Sequence, residues 1–161
     1  MSYHIIEKPA FRIVGIRMKL VDDMEENQKN VPLFWEHTWN DSSFSDLCTL
    51  NNAVPNGILG ISVYENPQNI FYYIAASSSS KAPDGMCEYE IPASTWVVFE
   101  NDGYFKENVQ SVFKRFYTEW LPFSGYEYAG LPDIEVYPIQ NKTIQCGHSE
   151  VWIAVKKEKE N

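Results

Sequence analysis

The chain has 161 residues, about one domain's worth, and 44% of them are apolar, enough to build a sizeable core. Thirteen Lys and Arg against twenty-two Asp and Glu leave a formal charge of −9, which repels phosphate backbones and anionic membrane surfaces and disfavours autonomous DNA binding. Nine Phe, ten Tyr and five Trp make 15% of the chain aromatic, too much for a disordered segment and more than an ordinary core requires.

Along the chain, Ile5-Ile6 and then Phe11 to Met18 alternate β-branched with polar residues and predict strand. The acidic stretch Asp22 to Glu26 is expected to separate this from a first helix, capped by Asn30, with Pro32 in its first turn and Leu33, Phe34, Trp35, His37, Thr38 and Trp39 in its body. A polar loop through Asn51-Asn52 and Pro55-Asn56-Gly57 leads to a hairpin, Ile58 to Tyr64 and Ile70 to Ala76, with its turn at Asn66-Pro67. The serine run 77–80 and the following Lys81-Ala82-Pro83-Asp84-Gly85 read as a linker near the midpoint. Beyond it come a strand with Tyr89, Ile91 and Trp96 to Phe99 and then a second helix. The helix carries Val109, Val112, Phe113, Phe116, Tyr117 and Trp120 as one apolar stripe and ends at Pro122 and Gly125. Asp133 to Tyr137 and Glu150 to Val155 are the closing strands.

Each half thus reads strand, helix, strand, strand. The expectation is a single α+β domain over 1–161 made of two repeats, 3–76 and 88–156, joined by the linker 77–85. Two main helices would lie on one face of an antiparallel sheet with pseudo-twofold symmetry, leaving a groove between the repeats where pockets tend to form. Strand parity sorts the side chains. Val151, Ile153 and Val155, Ile134 and Val136, and Leu59, Ile61 and Val63 are assigned to a helix-covered aliphatic face. Glu150, Trp152, Glu135, Tyr137 and Tyr64 are assigned to the opposite face, aromatic with acids, which suits an apolar or cationic molecule because ring faces and carboxylates both attract positive charge.

Four segments carry a family resemblance: Ile91 to Phe99, Tyr117 to Glu127 with its Trp-Leu-Pro-x-Ser-Gly-Tyr-Glu run, Asp133 to Tyr137, and Glu150 to Val155. The sequence resembles the GyrI-like small-molecule-binding domains, which are also the effector-binding domains of many AraC-type and MerR-type multidrug regulators. The resemblance implies a tandem strand-helix-strand-strand fold with a central groove for lipophilic cations, and Glu135 matches the acid that counters their charge. Glu150 matches the acid of the last strand, while Tyr137, Trp152, Trp39, Phe99 and Tyr64 are the aromatic walls by face parity. Trp96 stands where the family usually has Tyr, and Ala154 where it usually has Pro. The match begins near Tyr3, so a stand-alone effector-binding protein without a DNA-binding domain is expected, sensing or sequestering such molecules.

Two alternatives accompany this reading. A desolvated Glu135 with a raised pKa beside a tyrosine could act as general acid or base, which would make the protein a hydrolase of electrophilic small molecules, as some relatives are. The resemblance also implies a protein-interaction role, such as DNA gyrase modulation or contact with a regulator, as for some stand-alone relatives, and an acidic surface suits a basic partner; the strand Ile70 to Ala76 could pair two copies as a homodimer. No cofactor motif and no metal site is expected. His4, His37 and His148 are dispersed, and Cys48, Cys87 and Cys146 form no CxxC pair. With no run near the ~18 apolar residues of a membrane helix and no leader at Met1 to His4, a cytoplasmic protein is expected.

Overall fold

The computed structural model describes residues 2–102, 111–141, 143–144 and 147–159. The first run of alternating residues forms two strands, β1 (Tyr3–Lys8) and β2 (Phe11–Lys19), because Pro9 cannot donate to a ladder and breaks the run. Helix α1 spans Met24–Asn40. It starts earlier than Asn30: the Asp23 carboxylate accepts from the Glu25 and Glu26 amides at 2.9 and 3.3 Å, so the acidic stretch is the first turn rather than a separator. Pro32 lies inside the helix. A second helix, α2 (Ser42–Leu50), follows where no element was expected; it buries Leu47 and Cys48 and packs Phe44 and Leu50 against them.

The hairpin forms as expected, with β3 (Ile58–Asn66) and β4 (Asn69–Ser77) closed by the Asn66 side chain, which accepts from the Gln68 amide. The serine run is not linker from its start. Ser77 and Ser78 are buried, Ser77 ends β4 and its hydroxyl donates to the Val54 carbonyl, and the Ser78 amide donates to the Arg12 carbonyl.

In the second half come β5 (Cys87–Ile91) and β6 (Ser94–Asp102). A helical run over 111–124, α3, follows; Val109 of the expected stripe lies outside the described residues. Val112, Phe116 and Trp120 of the stripe are buried. At Phe116–Trp120 the helix widens into a π-turn immediately before Pro122, which has no N–H to return, and Gly125 ends the run in the left-handed conformation at φ 76. The remaining strands are β7 (Tyr126–Tyr128), β8 (Ile134–Tyr137), β9 (Ile139–Gln140), β10 (Thr143–Ile144) and β11 (His148–Lys157). The α+β class is as expected.

One antiparallel sheet runs in the order β1-β6-β11-β8-β3-β4-β2-β5, with β7 added to β11. All three helices lie on one face. α1 and α2 cover Ile58, Tyr72, Ile74 and Ala76, and α3 covers Val97, Phe99, Val151, Ile153 and Val155. The parity reading fails at one pairing. Directly paired residues share a face, and β11 meets β8 with Val151 opposite Glu135 and Trp152 opposite Ile134. That register sends Glu135 and Tyr137 to the helix side together with Val151, and Trp152 and Glu150 to the far side with Ile134 and Val136.

Among the described residues the far side has no helix, yet Leu59, Ile61, Tyr73, Trp96, Val98, Ile134 and Trp152 are buried there. The sheet covers itself by curling. β1 joins β2, and β5 joins β6, through the two-residue links Pro9-Ala10 and Pro92-Ala93, although these strands lie toward opposite ends of the row. The Phe11 and Trp96 rings consequently sit 6.5 Å apart across the interior. β4 lies between β3 and β2, so the expected pairing of Ile70 to Ala76 with a second copy is overturned: both of its edges are taken.

Candidate functional site

The middle of the strand row is the β3–β8 pair, in which Gly60 stands opposite Glu135 and Ile61 opposite Ile134. To one side the strands are roofed by α1 and α2, and to the other by α3. Between these roofs opens a cavity of about 470 Å³, within the range of small-molecule pockets. Gly60, Ser62 and Glu135 contribute from the strands, Tyr64, Tyr72, Tyr89, Tyr128 and Phe113 contribute rings, and the β7–β8 loop contributes Gly130, Leu131, Pro132 and Asp133.

Space for a buried carboxylate depends on Gly60. A Cβ there would meet the Tyr72 hydroxyl, and would lie 3.2 Å from the Trp35 ring and 3.3 Å from Glu135 Oε2. Three side chains from three elements therefore converge over one missing side chain. The Trp35 indole N–H donates to the Tyr72 hydroxyl at 2.9 Å, and the Tyr137 hydroxyl donates to Glu135 Oε2 at 2.6 Å. Trp35 meets Tyr137 edge-on, with centroids 5.2 Å apart at 82°. This fixes the inner end of the site.

Burial pushes the Glu135 carboxyl up from its ordinary range, and the Tyr137 hydrogen bond offsets part of that. The same carboxylate, acting with burial, pushes the Tyr72 and Tyr137 hydroxyls up, so both stay protonated and available as donors. A second acid stands two residues away. Burial raises Asp133 to about 6, against a hydrogen bond from Tyr128 that lowers it and the charge of Glu135 that raises it further. The Tyr128 hydroxyl reaches both the Leu131 carbonyl at 3.2 Å and Asp133 Oδ1 at 3.3 Å, which ties the loop to β7.

No Lys, Arg or His stands among the described residues lining the cavity. The described ion pairs, Arg12–Glu88, Arg17–Glu65, Arg115–Glu119 and Lys156–Glu127, use other acids. Two carboxylates among rings, with no basic neighbour of their own, make a site that attracts positive charge and repels anions. Among the described residues no cluster of His, Cys, Asp and Glu has the makings of a metal site.

Of the residues expected to form the site, Glu135 and Tyr64 line the cavity and Tyr137 stands against Glu135. Phe99 is fully buried beneath α3 between Phe116 and Trp120. Trp39 lies at the end of α1, about half exposed and packed on Phe44, and the ring that reaches the site is Trp35, one turn earlier. Trp152 and Glu150 bond to each other at 3.1 Å on the far side of the sheet. Asp133, Tyr72, Trp35, Gly60 and Tyr128 were not anticipated. Asp133 shares parity with Glu135, and Tyr72 pairs with Ser62 across the expected hairpin, so those two carried a signal.

A family model described as the GyrI-like small molecule binding domain matches residues 1–156. No curated protein matches the sequence. Among solved structures, the fold is similar to that of a protein from Staphylococcus aureus MU50 described as a bacterial transcription regulation protein, at 22% identity and TM-score 0.79, covering 97% of this chain and 99% of that one. It is equally similar to SAV2435 bound to tetraphenylphosphonium, at 22% identity and TM-score 0.79, covering 97% of this chain and 94% of that one. An integron cassette protein from Vibrio cholerae follows at 17% identity and TM-score 0.62, covering 96% of this chain and 95% of that one.

Proposed function

Because this chain belongs to the family of GyrI-like small molecule binding domains, we propose that its ligand is a lipophilic cation held with Glu135 as counter-charge. The observation that carries the reading is the Glu135 carboxylate over Gly60: it is half-buried beside rings, bonded by one hydroxyl, and without a basic neighbour among the described lining residues. An incoming cation would supply the missing partner, and Tyr64, Tyr72, Tyr128 and Phe113 would offer ring faces to its apolar body. The complex of SAV2435 with tetraphenylphosphonium supports this choice of ligand class.

The strand row gives support of another kind to two related halves. Exchanging β1 with β5, β2 with β6, β3 with β8 and β4 with β11 reverses the order onto itself, and the pivot falls between β3 and β8. On this reading the cavity lies where the two repeats meet. The role that follows is sensing or sequestration of the cation.

The test is titration with tetraphenylphosphonium followed by tryptophan fluorescence. Saturable quenching is expected, together with weakening by about tenfold or more in Glu135→Gln. Equal affinity in the variant would remove Glu135 as counter-ion, and absence of saturable binding to the wild-type chain would remove the reading.

A further inference from the structure

The counter-charge reading uses one acid, and the cavity holds two. Asp133 and Glu135 project from the same face at alternate positions of the chain leading into β8, which places their Cα atoms about 7 Å apart. Both line the cavity, and both sit among rings. Glu135 has Tyr137, Tyr72 and Trp35 around it. Asp133 has Tyr128, whose ring lies 6.2 Å from that of Tyr117 on α3. The site is therefore two compartments of one design, an acid bonded by one tyrosine hydroxyl and flanked by aromatic faces. A ligand with one positive centre matches one of them.

From this geometry, and resting on the counter-charge reading above, we propose that Asp133 is a specificity-determining residue that makes the cavity select elongated aromatic dications, with one positive centre at Glu135 and the other at Asp133. The mutual repulsion of the two acids is the physical reason for the preference. The charge of Glu135 raises the cost of ionising Asp133 in a site poorly screened by water, and a monocation relieves the charge of one while the second stays uncompensated. A rigid dication with matching spacing neutralises both and keeps its rings against tyrosine faces. It also loses little conformational freedom on binding, since the distance between its charges is set by covalent bonds.

The experiment compares two probes of nearly one shape, N,N′-dimethyl-4,4′-bipyridinium and its N-monomethyl analogue, which has a single positive charge. Affinities for both are measured by calorimetry at pH 7.5 on the wild-type chain, Asp133→Asn and Glu135→Gln. The wild type is expected to favour the dication by about tenfold, and Asp133→Asn to bring the two affinities within about twofold by weakening the dication the more strongly. Asn keeps an oxygen that can accept from the Tyr128 hydroxyl, so the loop retains its tie, and an unchanged near-UV circular dichroism spectrum of this variant reports an intact cavity. Glu135→Gln should weaken both probes. Monocation binding that depends on Glu135, without a dication preference in the wild type or with a preference that survives Asp133→Asn, would overturn this inference alone. Binding of neither probe would overturn this inference, and with it the counter-charge reading only where tetraphenylphosphonium fails to bind as well.

Discussion

Gly60 and Glu135 are cross-strand partners at the centre of the sheet, and Glu135 Oε2 lies 3.3 Å from the point where a Cβ on Gly60 would stand. Backbone pairing and ligand chemistry are thereby coupled at a single position: the hydrogen-bonded register sets which carboxylate faces the cavity, and the missing Cβ lets it lie there.

Gly60→Ala tests that relationship. The new methyl would press on the Tyr72 hydroxyl, the Trp35 ring and Glu135 together. Overpacking of this kind costs about 1–3 kcal/mol. The unfolding midpoint should fall, and tetraphenylphosphonium affinity should fall by about tenfold or more at temperatures where the variant remains folded. A variant of unchanged affinity would show that the ligand does not use the space above Gly60.

The pH dependence of stability has a defined sign. Asp133 is raised from 3.8 to about 6 in the folded chain, and Glu135 is raised as well. Between these values for Asp133 the folded state holds a proton that the unfolded chain has released. Stability therefore falls as pH rises from about 4 through 6 and is fully lowered above that window, by on the order of 3 kcal/mol for this group. Tyr128 and Tyr117, which face Asp133 from β7 and α3, have raised pKa values and stay protonated throughout. Urea midpoints of the ligand-free chain should be higher at pH 5 than at pH 7.5, and Asp133→Asn should flatten that difference. If the variant keeps the full pH dependence, Asp133 is not its source.

Trp35 is the natural fluorescent reporter. Its indole bonds Tyr72 and meets Tyr137 at the inner end of the cavity, whereas Trp39 packs on Phe44 at the protein surface. Trp35→Phe should abolish most of the ligand-induced quenching and lower stability by about 1–2 kcal/mol through the lost bond to a buried hydroxyl. Trp39→Phe should preserve the quenching. The reverse pattern would place the ligand elsewhere.

The two faces of the sheet give a further contrast. Glu150→Gln lies across the sheet from the cavity and should leave affinity within about twofold, since charge effects fall off with distance and solvent. Tyr137→Phe removes the hydroxyl bonded to Glu135, so the carboxyl should rise further and cation affinity at pH 6 should drop more than at pH 8. Isothermal titration at the two pH values distinguishes these outcomes.

Much of this was legible in the residues. The alternation from Phe11 to Met18 specified strand because a strand needs only a local period of two, and Ile58 to Tyr64 and Ile70 to Ala76 were marked by β-branched and aromatic residues on either side of a turn. The stripe Val112, Phe116 and Trp120 specified the core face of a helix for the same kind of reason. Glu135 could be singled out because the segment around it resembled a family with an acid at that place. Three things were beyond local pattern. Helix α1 begins at Asp23 because a side chain caps two amides, a signal hidden within a run of acids that also reads as loop. Helix α2 shows its period only in Phe44, Leu47 and Cys48, too short a run to stand out within a polar stretch. Trp152 shares the parity of an acid-bearing strand face, yet parity within one strand says nothing about how it aligns with its neighbour.

The sequence by itself determined the class of fold, the principal strands and two of the three described helices, from spacing within a segment and from residue type. The family, and Glu135 as the acid matching its pattern, came from the resemblance of whole segments. The tertiary structure alone decided which face each strand presents, because the register between β8 and β11 is a choice of one residue that flips a whole strand. It also decided that the charged site lies under the helices rather than opposite them, that Gly60 is the opening through which Tyr72, Trp35 and Glu135 meet, and that Asp133 joins Glu135 in one cavity. Long-range pairing brings those residues together from positions 35 to 135, and no local period records a contact at that separation.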